Sequence, residues 1–94
     1  MEWIQPILSN FFKAIENDPR VGVSHISLYC AILQFGDKWN EGECVLIMSF
    51  ELMKVAKISG GTYHRCIGDL HKYGYIRYVP SYNHRKKSQV YLLL

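Results

Sequence analysis

Apolar positions near the start of the chain recur at helical spacing. In WIQPILSNFFKAIEN, Ile4, Leu8, Phe11 and Ile15 share one face with Ile7 and Phe12 beside them, while Gln5, Ser9, Lys13 and Glu16 take the other. That period predicts an amphipathic helix, which should stop near NDPR because Pro19 disfavours helical geometry at Asp18. Its apolar face has two readings, as cover for the rest of the domain or as a contact with a second copy. The next periodic stretch, HISLYCAILQFG, predicts a helix capped by Ser24, buried through Ile26, Tyr29, Ile32 and Leu33, and stopped at Gly36. A polar loop, DKWNEGE, follows, in which Trp39 is an anchor onto the core or a binding platform.

The second half alternates shorter signals. CVLIM has the length of a strand rather than a helix. Ser49 then predicts a cap, with Glu51 in a first turn where the helix dipole favours an acid, and FELMKVAK directs Leu52, Val55 and Ala56 inward. After the break at Ile58, Ser59 caps a further helix, GGTYHRCIGDLHKYG. Its buried stripe is Tyr63, Cys66, Ile67 and Leu70, and Gly74 stands where a left-handed terminating residue belongs. The opposite stripe, Gly61, Thr62, His64, Arg65, Gly68 and Lys72, is small or polar throughout. YIRYVPSY then alternates Tyr75 and Arg77 against Ile76 and Tyr78 as a half-buried strand, closed by Pro80. SQVYLLL can return antiparallel to it, leaving residues 81–87 as a hairpin tip.

At 94 residues, 49% hydrophobic and 14% aromatic, the chain can bury one core without staples. No apolar run approaches the roughly 20 residues of a bilayer span. Glu2, with no basic start, argues against a signal peptide, so a cytoplasmic protein without a membrane partner is expected. Cys30, Cys44 and Cys66 are odd in number and lack CxxC or CxxH pairing, so neither a disulfide framework nor a zinc knuckle is signalled and each reads as small core volume. His64 and His71 stand seven apart, too far to hold one ion as an i, i+4 pair could. No metal, cofactor or small-molecule ligand is therefore expected, and no catalytic constellation or phosphate loop argues for an enzyme.

Charge adds direction to this pattern. Residues 1–53 carry three basic side chains against seven acidic ones, a balance of −4, whereas residues 54–94 carry eight against Asp69 alone, a balance of +7. A polyanion-facing C-terminal half follows.

Residues 51–92, ELMKVAKISGGTYHRCIGDLHKYGYIRYVPSYNHRKKSQVYL, carry a KIS turn into a helix, a DLHKYGYI exit and a returning strand. In this they resemble the winged helix-turn-helix family, and more narrowly its small bacterial members associated with mobile elements, replication or transcription control. The resemblance implies an α+β, mostly α fold. Residues 1–20 would be an extra amphipathic helix and dimerisation element, and residues 21–94 the winged domain with its C-terminal β-hairpin wing. It also implies a homodimer that binds double-stranded DNA as a small transcriptional regulator. The alternatives are a replication or mobile-element accessory factor and a winged-helix module that binds protein.

On that resemblance the second helix docks in the major groove and the wing lies along backbone or minor groove. Arg65 is the expected base reader, since a guanidinium pairs bidentately with guanine; Thr62 and His64 share its face. A phosphate contact or an ion pair with Asp69 remain open for it. Lys54, Lys57 and Lys72 suit phosphates as flexible point charges. Ser59 and Thr62 can donate hydroxyls, and Gly61 lets bare backbone approach a phosphate. On the wing, His84, Arg85, Lys86 and Lys87 add charge, and Tyr82 either meets the DNA backbone or packs on its own strand.

Overall fold

The computed structural model describes residues 4–35, 44–82 and 87–93. Over these the chain runs α1 (Ile4–Ile15), α2 (Val23–Gln34), β1 (Val45–Ile47), α3 (Ser49–Ala56), α4 (Gly60–Lys72), β2 (Ile76–Val79) and β3 (Ser88–Leu92), an α+β arrangement that is mostly helical. The expected stop at Gly36 and the role of Trp39 fall outside the described residues.

Periodicity explains the helices and their buried faces. Along α1, Ile7 and Phe11 are buried while Ile4, Leu8 and Ile15 pack partly buried on the same core. Phe11 stacks on Tyr29 with ring centroids 3.7 Å apart and meets Tyr75 edge-on at 5.7 Å, contacts that add to the area they bury. Most of α1's apolar face therefore covers the chain's own core, and Phe12 stays outside it at 46% exposure.

Helix α2 is the centre of the packing, flanked by α3, α4 and β1. His25, Leu28, Tyr29, Ala31, Ile32 and Leu33 are all buried on it, while Ile26 is only half-buried. Its start corrects the expected Ser24 cap. The cap is Gly22, whose extended backbone precedes the helix and whose N–H donates to His25 Nδ1 at 3.0 Å. An imidazole can reach back where a serine one position earlier would already lie inside the first turn. Likewise Ser49 is the first residue of α3 and not its cap. Met48 continues the extended run of β1 and its carbonyl accepts from the amides of Glu51 and Leu52.

Three strands form one antiparallel sheet in the order β1-β3-β2. Val45 and Tyr78 both face Val90, which is fully buried at the sheet's centre. The alternation expected for residues 75–78 holds only from Ile76 onward. Tyr75 precedes the strand and is buried, whereas Arg77 is exposed and its guanidinium lies 5.2 Å from the Tyr91 ring on the sheet's outer face. Two further expectations fail at the rim of the core. Val55 is 46% exposed because the short helix α3 turns only Leu52 and Ala56 inward, and Cys30 is exposed on α2, leaving Cys66 as the buried thiol.

A polar clasp fastens the α1–α2 connection to the sheet. Asp18 Oδ1 accepts from Arg20 Nε at 2.8 Å, and its Oδ2 accepts both from Arg20 Nη2 at 2.9 Å and from the Tyr75 hydroxyl. Arg20 also lies over the Tyr73 ring, 4.0 Å from its centroid, a cation–π contact. The Arg20 guanidinium, with the Tyr75 hydroxyl, holds the Asp18 carboxyl well below the usual carboxylate range.

Candidate nucleic-acid interface

Helices α3 and α4 are joined by Lys57, Ile58 and Ser59. Lys57 adopts the left-handed conformation, φ 60° and ψ 43°, and its N–H closes the last turn on the Met53 carbonyl. An L-residue there costs about 1 kcal/mol relative to glycine. The Ala56 carbonyl accepts from Ser27 Oγ at 2.6 Å, so α2 fixes where α3 ends. Ser59 then caps α4 as expected, its Oγ accepting from the Thr62 amide at 3.3 Å and lying 3.1 Å from Thr62 Oγ1. These two hydroxyls are thus engaged with each other at the helix start.

The buried stripe of α4 is the expected one, Tyr63, Cys66, Ile67 and Leu70. It turns Gly61, His64, Arg65, Gly68 and Lys72 to the exposed side, with Thr62 half-buried. A β-carbon added at Gly61 or Gly68 would meet nothing within 4 Å. Bare backbone at these two positions therefore serves no internal packing and leaves the face open to close approach from outside. Gly74, with φ +85°, ends the turn after α4 as expected.

Charge on this face is set by a pair that the sequence pattern did not reveal. Asp69, four residues after Arg65, lies with Oδ2 2.9 Å from His25 Nε2 on α2, and His25 itself is buried at 7% exposure. No ion pair joins Arg65 to Asp69 among the described residues. The one acid of residues 54–94 is therefore occupied by a histidine, and Arg65 projects from α4 without an acidic partner among the described residues. His71, at the other end of α4, accepts the Tyr78 amide on Nδ1 at 3.0 Å and ties the helix to β2.

The remaining candidates distribute as follows. Lys54 and Lys57 are exposed on α3 and its final turn, and Lys72 lies eight positions beyond His64, about 12 Å along the axis. Tyr82 is 93% exposed and does not pack on its own strand. Lys87 is exposed, while His84, Arg85 and Lys86 lie outside the described residues. A groove of about 730 Å³ brings two of the candidates together, since His64 of α4 and Tyr82 of the β2–β3 connection both line it, as does Phe50 of α3. Phe50, 61% exposed, was assigned no role by the sequence pattern. Among the described residues no three His, Cys, Asp or Glu side chains gather as a metal site, and no helix is long and apolar enough to cross a membrane. Comparison with protein-family models, with curated proteins and with solved structures finds no match for the chain.

Proposed function

We propose that the chain binds double-stranded DNA with a winged helix-turn-helix architecture and acts as a small transcriptional regulator without catalysis of its own. On this reading α3 and α4 are the helix-turn-helix, α4 enters the major groove, and the β2–β3 hairpin is the wing. The observation that carries it is the exposed face of α4. It joins an exposed arginine, a histidine and two bare glycine positions, flanked by Lys54, Lys57 and Lys72, while its one acid is held by His25. Arg65 reads a base edge, the lysines meet phosphates, and the basic run His84–Lys87 connecting the hairpin strands adds affinity. The same surface serves the alternative of a replication or mobile-element accessory factor.

Titrating a generic duplex against salt tests this, because each neutralised phosphate steepens the fall of log affinity with log salt by about 0.9. A slope of several is expected. A flat slope, or no binding at low salt, overturns the DNA reading and leaves a protein-binding role. Replacing Arg65 by alanine should relax discrimination among sequences, whereas replacing Arg85, Lys86 and Lys87 should weaken all duplexes alike. A dimer through α1 is part of the proposal, and among the described residues of α1 the large apolar side chain left exposed for it is Phe12. Sedimentation of Phe12→Glu tests that contact, and an unchanged mass overturns it.

A further inference from the structure

The groove between the start of α3, the middle of α4 and the mouth of the hairpin is walled by aromatic side chains that the core does not use. Phe50 is 61% and Tyr82 93% exposed, and neither belongs to the residues packed on the hydrophobic core. Ser49, Ser88 and His64 line the same groove and supply polar edges. Basic residues neighbour this lining along the chain. Lys54 stands one helical turn from Phe50, Arg65 follows His64 and Lys87 precedes Ser88, against Glu51 in the first turn of α3. An apolar peptide would gain nothing from that rim. A ligand with flat apolar faces carried on an anionic backbone satisfies both walls and rim, and a nucleotide taken out of its stack is such a ligand. The volume, about 730 Å³, admits one base with its sugar and phosphate.

We propose that this groove receives an unstacked base, so that the chain prefers DNA carrying an unpaired nucleotide over a continuous duplex. The proposal rests on the DNA-binding reading above and specifies the form of DNA. The aromatic faces stack the base, the polar side chains meet its edge, and the flanking lysines and arginine neutralise the phosphates on either side.

The test compares a paired duplex with the same duplex carrying one unpaired 2-aminopurine. The expected result is quenching of the 2-aminopurine on binding and a preference for the unpaired form on the order of tenfold, the scale of one base–aromatic stack. Phe50→Ala should abolish the preference while leaving affinity for the paired duplex unchanged, and Phe50→Trp should restore it. Equal affinity for the two duplexes, or an intact preference in Phe50→Ala, overturns the groove assignment and leaves the duplex-binding reading standing. A lower sedimentation coefficient of Phe50→Ala without DNA assigns the groove to a second copy and also overturns it. Absence of binding to either duplex at low salt is a different failure, that of the DNA reading itself.

Discussion

His25 Nε2 on α2 lies 2.9 Å from Asp69 Oδ2 on α4, across 44 positions of the chain. Because the Gly22 N–H donates to Nδ1, that nitrogen is the acceptor and the ring proton of the neutral imidazole sits on Nε2, aimed at the carboxylate. One side chain thereby closes the start of α2 and fixes the orientation of α4. A double-mutant cycle of His25→Ala and Asp69→Ala, followed by urea unfolding, should give a coupling energy of about 1 kcal/mol. His25→Ala alone should also lower duplex affinity, because the released carboxylate then stands four residues from Arg65 and competes for it. Unchanged affinity would mean that Arg65 takes no part in binding.

The Asp18 clasp predicts an acid limb. Arg20, and after it Tyr75, hold the carboxyl below its ordinary value in the folded chain, so between the unfolded value near about 4 and the lower folded value the unfolded state binds more protons. Stability contributed by the clasp is present above about pH 4 and is lost as pH falls through that window. Urea midpoints measured down the acid range should therefore drop for the parent chain and stay flatter for Asp18→Asn. Parallel curves would assign the acid limb to other carboxyls.

The Tyr29 hydroxyl is buried and has no hydrogen-bond partner among the described residues. Removing an unsatisfied buried polar group relieves its desolvation cost, so Tyr29→Phe, which keeps the stack on Phe11, should be neutral or stabilising by about 1 kcal/mol. Burial also pushes this phenol up. Above about pH 10 the unfolded chain gives up a proton that folded Tyr29 retains, so the parent should lose stability there and Tyr29→Phe less. Phe11→Ala, by contrast, should cost about 3 to 5 kcal/mol.

Lys57 combines a left-handed backbone with an exposed charge, and one substitution separates the two. Lys57→Gly should stabilise the fold by about 1 kcal/mol, since glycine carries no β-carbon penalty at positive φ. In the same variant the salt slope of duplex binding should fall by about 1, because one phosphate contact is gone. An unchanged slope would place Lys57 outside the interface.

What was legible in the sequence was what is decided within a turn or two of chain. The stripe Tyr63, Cys66, Ile67 and Leu70, the Ser59 cap, the left-handed Gly74 and the return of SQVYL against β2 all follow from local periodicity and turn chemistry. The caps at Gly22 and Met48 were misplaced for a related reason, since helix ends depend on what precedes them and a competing donor or strand shifts them by a residue or two. The pairs that join distant segments left no local trace. Nothing near His25 announces Asp69, and nothing near Asp18 announces Tyr75, 57 positions away. The candidate face on α4 could be read from its polar stripe, but the hydrogen-bond partner of its acid and the exposure of Phe50 are properties of the assembled fold.

Sheet order has a consequence for how the chain folds. Strand β1 finds its partner only in β3, with Val45 opposite Val90, so their pairing closes a loop of 45 positions that contains α3, α4 and the hairpin. The α3–α4 turn forms from neighbours, whereas this closure must meet its entropic cost before any contact rewards it. Refolding is therefore expected to be limited by the arrival of the central strand, with α3 and α4 paired with each other before the strand that locks them in place arrives.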